Sequence, residues 1–359
     1  MTIEHGGDVY SAAEGHGCSL RQVMDFSASV NPLGPSKKVK AEIRKWLKML
    51  NHYPDPKCRR LRKRIRQVFS VPEPLIICGN GSNELIFEIV SAVKPHKVLV
   101  TAPSFSEYAK AASRYGAETV SVPLCEEHLF RLEPERIADA MKECQVAFVA
   151  NPLNPSGTLT RRETVLELAE AAARTGCMLV LDEAFIDFCQ SDSVIRDVSA
   201  DGYLGVLRSL TKFHGLAGLR VGFAALPERL IERIHTTRDP WSVNTLAQRA
   251  AYVAIGDTAF SKETMDWLGK EKTFLEERLG RLGFVVYPSS ANYLLVNHKR
   301  APEIREGLFR RRILVRDCSN FEGLNDSFLR IAVHRHPENT RLLKALSYIL
   351  NPREPRRGG

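Results

Sequence analysis

Residues 208–220 read RSLTKFHGLAGLR, and they directly follow the apolar run YLGVL at residues 203–207. Lys212 therefore stands just beyond the end of a predicted strand, among small and apolar residues. Loss of water disfavours the charged form of a lysine, so we expect a lowered pKa for this amine. A neutral amine forms a Schiff base with an aldehyde, and both Ser209 and Arg220 can bind a phosphate. The stretch thus predicts a site with one reactive lysine.

Short apolar runs alternate with helical patterns on both sides of this stretch. The runs are LIIC at 75–78, KVLVT at 97–101, ETVSV at 118–122, QVAFVA at 145–150, CMLVL at 177–181 and LRVGFAAL at 219–226. This alternation predicts an α/β fold with a mainly parallel sheet and helices on both of its faces.

The pattern changes near DPWSVN at residues 239–244. Long helical patterns cover 244–280, and shorter strand patterns follow at 284–288, 292–296, 313–317 and 328–333. We therefore predict a large domain at 46–238, a small α+β domain at 239–359, and an N-terminal arm at 1–45. The arm is expected to pack with the small domain and the active site.

The composition is typical of a globular protein, since 44% of the 359 residues are hydrophobic and 26% are charged. No apolar run has the length of a membrane helix, and MTIEHGGDVY lacks the pattern of a secretory signal. The eight cysteines show no CxxC spacing, which predicts free thiols and no metal site. We expect a cytoplasmic protein with no membrane partner.

Positive charge is concentrated in one segment of the chain. Residues 37–66 hold thirteen Lys or Arg against Glu42 and Asp55, while the whole chain has a net charge of +9. Charge of this density can bind nucleic acid, but no aromatic interleaving or DNA-binding motif accompanies it. Cys58, Leu61, Ile65 and Phe69 recur at helical spacing within it, which favours an amphipathic helix with a solvated basic face and no nucleic-acid partner.

Three further polar motifs follow predicted strands, where ligands bind in open parallel sheets. They are GNGSNE at 79–84, NPLNPSG at 151–157 and LDEAFIDF at 181–188. Ser82 and Asn83 open a helix that can hold a phosphate, or they form an ordinary helix cap. Asn154 lies on a rigid turn, and Asp182 is either a buried carboxylate that needs a partner or another cap.

Taken together in one α/β domain, these motifs point to a single cofactor. An aldehyde with a phosphate group and a ring nitrogen that pairs with an acid is pyridoxal phosphate. Lys212 would bind the aldehyde, and Asp182 would keep the ring nitrogen protonated.

The four motifs also carry a resemblance that covers essentially the whole chain. SLTKFHGLAGLR, NPLNPSG, DEAF and GNGSNE resemble the class I/II aminotransferase superfamily of fold-type-I pyridoxal phosphate enzymes. Within it the chain is similar to histidinol-phosphate aminotransferases and, more closely, to L-threonine-O-3-phosphate decarboxylases of cobalamin biosynthesis. The segments that carry this second step are HGGDVY (5–10), DFSASVNPLGP (25–35), HYPDP (52–56), DEAFIDF (182–188), RSLTKF (208–213), PWSVN (240–244) and ANYLL (291–295).

The resemblance implies a role for each matching residue. Lys212 is expected to form the Schiff base and Asp182 to pair with the ring nitrogen. Asn154 is expected to bond the phenolic oxygen, and Phe105 to lie on the ring face. The cofactor phosphate is expected at Ser82, Asn83, Ser209 and Arg220, with Tyr53 reaching it from a neighbouring subunit of a homodimer.

A phosphorylated amino-acid substrate is implied as well. Arg330 is expected to bind its carboxylate. The remaining expected substrate contacts are His5, Gly6, Gly7, Asn31, Asn154 and Arg335.

One departure separates the possible activities. Many aminotransferases have a tyrosine at the position of Phe185, so one donor to the phenolic oxygen is absent here, as in the decarboxylase branch. The resemblance implies decarboxylation of L-threonine O-3-phosphate to (R)-1-amino-2-propanol O-2-phosphate. The alternatives are an aminotransferase for histidinol phosphate or an aromatic amino acid, and a decarboxylase of O-phosphoserine.

Overall fold

Two β-sheets organise the chain in a computed structural model that describes residues 6–351. The larger sheet has seven strands in the order β2-β8-β7-β6-β5-β3-β4. Its strands are β2 (Ile76–Gly79), β3 (Lys97–Ala102), β4 (Glu118–Pro123), β5 (Val146–Ala150), β6 (Met178–Asp182), β7 (Leu204–Ser209) and β8 (Gly222–Ala225). Only β8 runs antiparallel to its neighbours β2 and β7. The predicted α/β fold with a mainly parallel sheet is therefore confirmed.

Helices cover both faces of this sheet, because its strands are apolar on both sides. One face buries α4 (Ser82–Val93), α5 (Glu107–Arg114) and α8 (Glu228–His235). The other face buries α2 (Lys37–Trp46), α3 (Arg59–Phe69), α6 (Pro134–Met141), α7 (Arg162–Thr175) and α9 (Thr245–Ala254).

The smaller sheet has five strands in the order β1-β11-β12-β10-β9. They are β1 (Met24–Phe26), β9 (Val285–Val286), β10 (Tyr293–Asn297), β11 (Ile313–Asp317) and β12 (Phe328–Ala332). Its apolar residues pack against α10 (Thr258–Arg281), α11 (Ala301–Phe309) and α12 (His336–Leu350). A short helix, α1 (Val9–Gly15), lies near the start of the chain.

The N-terminal segment contacts both sheets. Strand β1 pairs in parallel with β11, which places Met24–Phe26 in the smaller sheet. Helix α2, by contrast, packs on α9, and Val39 joins the core of the larger sheet. The domain boundaries at residues 45 and 238 stay a prediction.

The basic segment forms two amphipathic helices. Leu61 and Ile65 of α3 are buried against the larger sheet, while Lys63 and Arg66 are exposed. No helix within residues 6–351 is long and apolar enough to cross a membrane.

The NPLNPSG turn after β5 joins the two sheets. Gly157 has φ +80°, and a Cβ built on it would lie 3.1 Å from the Cα of Ser289 and closer still to that side chain. Ser290 N donates to Gly157 O at 2.9 Å, and Tyr293 Oη donates to Leu153 O at 2.8 Å. This close approach requires a glycine.

Gly157→Ala therefore tests the close contact between the turn after β5 and Ser289. An alanine at positive φ costs about 1–2 kcal/mol of unfolding free energy, and crowding against Ser289 adds about 1–3 kcal/mol. Gly176→Ala is the matched control, since Gly176 has φ +72° but open space around it. Urea unfolding should show the larger loss for Gly157→Ala, and equal losses would contradict this account.

Candidate active site

A cavity of about 510 Å³ lies beyond the carboxyl ends of the central strands of the larger sheet and reaches the smaller sheet. Most of the residues predicted from the sequence line it, although they come from distant parts of the chain. Those residues are Gly6, Ser82, Asn83, Phe105, Asn154, Asp182, Ser209, Lys212, Arg220 and Arg330.

Lys212 follows the end of β7 and points into this cavity. Burial and, to a smaller extent, the nearby guanidinium groups of Arg330 and Arg220 lower the pKa of its amine to about 8. The carboxylate of Asp182 opposes them and raises it. A substantial fraction of this amine is therefore neutral near pH 8, as a nucleophile requires.

Asp182 ends β6 inside the same cavity. Its Oδ2 accepts a hydrogen bond from Tyr108 Oη at 2.7 Å, and its Oδ1 accepts one from Ala184 N at 3.0 Å. Burial raises the pKa of the carboxyl above its usual value, and these two hydrogen bonds and the charge of Lys212 offset only part of that rise. Both donors favour the ionised form of Asp182, and a carboxylate in this position can accept a hydrogen bond from a cationic group.

Tyr108 was not predicted from the sequence as a site residue. It is buried on α5, and its ring stacks on Phe148 with centroids 5.0 Å apart. The requirement that a buried Asp182 have a partner was the available signal, but it did not say which residue would supply the hydroxyl.

An anion cradle surrounds the start of α4. The helix begins at Ser82 after Gly81, which has no capping side chain. A Cβ on Gly81 would lie 2.6 Å from Arg220 Nη2, and one on Gly222 would lie 2.6 Å from Ser82 N. The glycines therefore let the guanidinium and the helix N-terminus lie close together, an arrangement that favours a phosphate.

Hydroxyl and amide groups complete this cradle. Ser209 Oγ and Thr211 Oγ1 lie 2.7 Å apart within a hydrogen bond, and both residues line the cavity. The buried Oδ1 of Asn83 has no hydrogen-bond partner among the residues that the structure describes.

Two arginines face the cavity from the smaller sheet. Arg330 on β12 donates through Nη1 to Asn154 Oδ1 and through Nη2 to Ser27 O at 2.9 Å. Arg316 on β11 is its register partner, and its Nη2 donates to Asn320 Oδ1 at 2.8 Å. Arg316 was not predicted from the sequence, because only the pairing of β11 with β12 places it beside Arg330.

Four predicted residues of the described chain do not line the cavity. Asn31 is buried elsewhere, where its Nδ2 donates to Phe213 O at 2.8 Å and to Thr264 Oγ1 at 2.9 Å. Its amide is therefore occupied in holding the loop in place. Tyr53 is 81% exposed and stacks on Trp241 with centroids 4.7 Å apart.

The other two are Gly7 and Arg335. Gly7 N donates to Ser27 Oγ at 2.8 Å, behind Gly6, and Arg335 precedes the first turn of α12. His5 lies outside the described residues.

Phe185 occupies the wall next to Lys212. Its ring packs edge-on against Tyr293 at 4.9 Å between centroids, and Lys212 Nζ lies 5.9 Å from its centre. This position offers an apolar surface where a tyrosine would offer a hydroxyl.

The lowered pKa of Lys212 is directly measurable. Trace acetylation followed by mass spectrometry, after removal of any bound aldehyde, should give a midpoint near pH 8 for Lys212. Lys97 is the internal control, because Glu143 raises the pKa of its exposed amine. Asp182→Asn removes a charge that raises the pKa of Lys212, so its midpoint should fall. Equal midpoints for the two lysines would contradict the burial argument.

Comparison with known proteins agrees with this geometry. The sequence profile described as Aminotransferase class I and II matches residues 21–346. The threonine-phosphate decarboxylase of Salmonella typhimurium is 35% identical over 350 residues, which is 96% of each chain. The histidinol-phosphate aminotransferase of Roseiflexus castenholzii is 36% identical over 94% of this chain and 92% of its own.

A solved structure extends the likeness to three dimensions. The L-threonine-O-3-phosphate decarboxylase from Porphyromonas gingivalis superposes with a TM-score of 0.81 at 27% identity, over 91% of this chain and 99% of its own. These matches confirm the resemblance and the fold-type-I architecture. The chain belongs to the class I and II aminotransferase family.

Proposed function

We propose that this protein is a pyridoxal phosphate enzyme of cobalamin biosynthesis. It decarboxylates L-threonine O-3-phosphate to (R)-1-amino-2-propanol O-2-phosphate and CO2. The observation that carries the proposal is the similarity to the Salmonella typhimurium decarboxylase across 96% of both chains. Phe185 at the position discussed above and the paired arginines Arg316 and Arg330 support it.

The described residues fit the cofactor. A buried amine with a pKa near 8, a buried carboxyl group with two hydrogen-bond donors and an anion cradle occupy one cavity. Lys212 would hold the aldehyde, Asp182 the ring nitrogen, Asn154 the phenolic oxygen and Phe105 the ring face. The phosphate would lie among Ser82, Asn83, Ser209 and Arg220. When bound, pyridoxal phosphate supplies an electron sink for the bond broken at Cα of the substrate.

The protein's own groups then divide the remaining work. Lys212 Nζ is the group that can move a proton to or from the substrate, since its pKa is close to neutrality. Asp182 would keep a proton on the ring nitrogen of the cofactor. The hydrogen bond from Tyr108 Oη fixes the orientation of the Asp182 carboxyl group. Phe185, which packs against Tyr293, presents an apolar ring to this amine.

Two anionic groups on the substrate match two guanidinium groups on the protein. We assign the substrate carboxylate to Arg330, which Asn154 and Ser27 hold in place. We assign the substrate phosphate to Arg316, since its strand position directs it to the same cavity. Gly6 also lines the cavity. The other predicted substrate contacts are His5, Gly7, Asn31 and Arg335.

The enzyme is further proposed to be a cytoplasmic homodimer. The exposed Tyr53 and Trp241 stack on each other, and the exposed side chains of Leu47 and Leu50 lie in the segment that leads to Tyr53. Apolar side chains left exposed together are typical of a subunit interface. Tyr53 would then reach the cofactor phosphate of the partner subunit.

A histidinol-phosphate aminotransferase is the second candidate. It is favoured by relatives of that name at comparable identity, such as the one from Roseiflexus castenholzii. Both substrates are phosphorylated amines, so the anion-binding groups alone do not separate them.

Product analysis separates the two candidates. Purified protein with pyridoxal phosphate should convert O-phospho-L-threonine to aminopropanol phosphate and CO2 with no keto acid present. Histidinol phosphate with 2-oxoglutarate should yield no glutamate. Lys212→Ala should abolish turnover and the visible absorbance of the lysine-bound cofactor. Glutamate formed only in the second mixture would establish the aminotransferase instead.

Arg316 should control the affinity for the substrate phosphate. Arg316→Met removes charge-assisted hydrogen bonds of about 1.5–3 kcal/mol, so kcat/KM for O-phospho-L-threonine should fall about tenfold to hundredfold. The matched control is Arg310→Met, which removes an exposed arginine paired with Glu306 on α11. If KM is unchanged in Arg316→Met, the phosphate binds elsewhere.

A further inference from the structure

A cluster of buried charges lies behind the active site, outside the cavity. Arg208 donates through Nη1 to Glu183 Oε2 at 3.2 Å and through Nη2 to Asp187 Oδ1. The side chains of all three residues are at most 2% exposed. None of the three lines the cavity.

Neighbouring groups hold this cluster in one arrangement. Glu183 accepts from Ser193 Oγ at 2.6 Å and from Val194 N at 2.9 Å. Gln190 Nε2 donates to Asp187 at 3.1 Å, and the guanidinium carbon of Arg208 lies 4.8 Å from the centre of the Phe69 ring. The carboxylates are thereby tied to the loop that follows β6.

Strand geometry connects this cluster to the active site. Successive side chains of a strand point to opposite faces of the sheet. Arg208 is therefore on the reverse side from Ser209, its neighbour in β7, and Glu183 adjoins Asp182 at the end of β6. The ion pair between Arg208 and Glu183 thus connects the ends of β7 and β6. The adjacent residues Ser209 and Asp182 line the cavity.

Stability alone does not account for such a cluster. Removing three charges from water is costly, and packed apolar residues of similar size are usually at least as stabilising. The cluster also places one guanidinium against two carboxylates, and Arg208 Nε and Asp187 Oδ2 have no hydrogen-bond partner within residues 6–351. Its geometric constraint on the strand ends is the effect that apolar packing would not reproduce.

We propose that Arg208 and Glu183 are positioning residues. Arg208 sets the place of Ser209 in the anion cradle, and Glu183 sets the place of Asp182. This inference rests on the proposed pyridoxal phosphate site, and it assigns a separate effect to each residue. Loss of Arg208 weakens recognition of the phosphate, whereas loss of the Glu183 charge disturbs recognition of the pyridine ring.

Two ligands distinguish these effects. Pyridoxal phosphate carries the phosphate group and pyridoxal lacks it, so the ratio of their dissociation constants reports on the cradle. Both constants would be measured by absorbance titration of the full-length protein freed of cofactor. Thermal unfolding of each variant without cofactor would be recorded alongside.

Arg208→Met should weaken pyridoxal phosphate about tenfold to hundredfold while changing pyridoxal far less. Glu183→Gln, which keeps the shape of the side chain, should weaken both ligands by similar factors. Leu168→Ala is the control for lost stability, because Leu168 is buried on the same face of the sheet and away from the cavity. It should lower Tm and leave the ratio unchanged.

An unchanged ratio in a folded Arg208→Met protein would overturn the inference, even if its Tm falls as far as that of Leu168→Ala. If Arg208→Met does not fold, the result for Glu183→Gln decides, and wild-type affinity for both ligands would overturn the inference. A wild-type protein that binds neither ligand would instead contradict the proposed function. The two failures are therefore distinguishable.

Discussion

One lysine amine held away from water sets the conditions for the whole site. Burial and the guanidinium groups of Arg330 and Arg220 favour the neutral amine of Lys212, and Asp182 opposes them. These charges come from both sheets, since Arg330 lies on β12 and Asp182 on β6. The pKa of Lys212 therefore depends on how closely the smaller sheet approaches the larger one, which is why the tight contact at Gly157 concerns chemistry as well as folding.

Asp182 and Arg330 are each hydrogen-bonded to a group whose position is fixed by its own neighbours. Asp182 receives the hydroxyl of Tyr108, and the ring of Tyr108 is held by stacking on Phe148. Arg330 is held by Asn154 and a backbone carbonyl. Buried polar groups are costly without partners. The contacts that position Tyr108 and Asn154 are therefore needed for the hydrogen bonds to Asp182 and Arg330 to keep their geometry.

The sequence predicted the strands and most of the cavity, because both depend on local pattern. Apolar runs defined the strands, and the polar motifs at the ends of β2, β5, β6 and β7 supplied residues that line the cavity. Residues outside this rule were harder. Asn31 has a side chain that could bind a substrate, but its amide donates to Phe213 and Thr264 instead. Tyr108 and Arg316 reach the cavity only because the fold brings distant elements together. Side-chain direction across long separations has no local signature.

The separation of decarboxylase from aminotransferase depends on orientation, and identity alone does not settle it. Relatives of both names are about equally identical to this chain, at 35% for the decarboxylase and 36% for the aminotransferase. Both reactions need the same lysine, acid and anion cradle, so the presence of those residues does not separate the two activities. What differs is which bond at Cα is held for cleavage, and two fixed anchors are needed to fix that orientation. Arg330 and Arg316 occupy register positions on adjacent strands, so the smaller sheet sets the distance between these anchors. Under the proposed assignment, the choice of reaction therefore depends on the spacing of two strands that are far from the lysine in sequence.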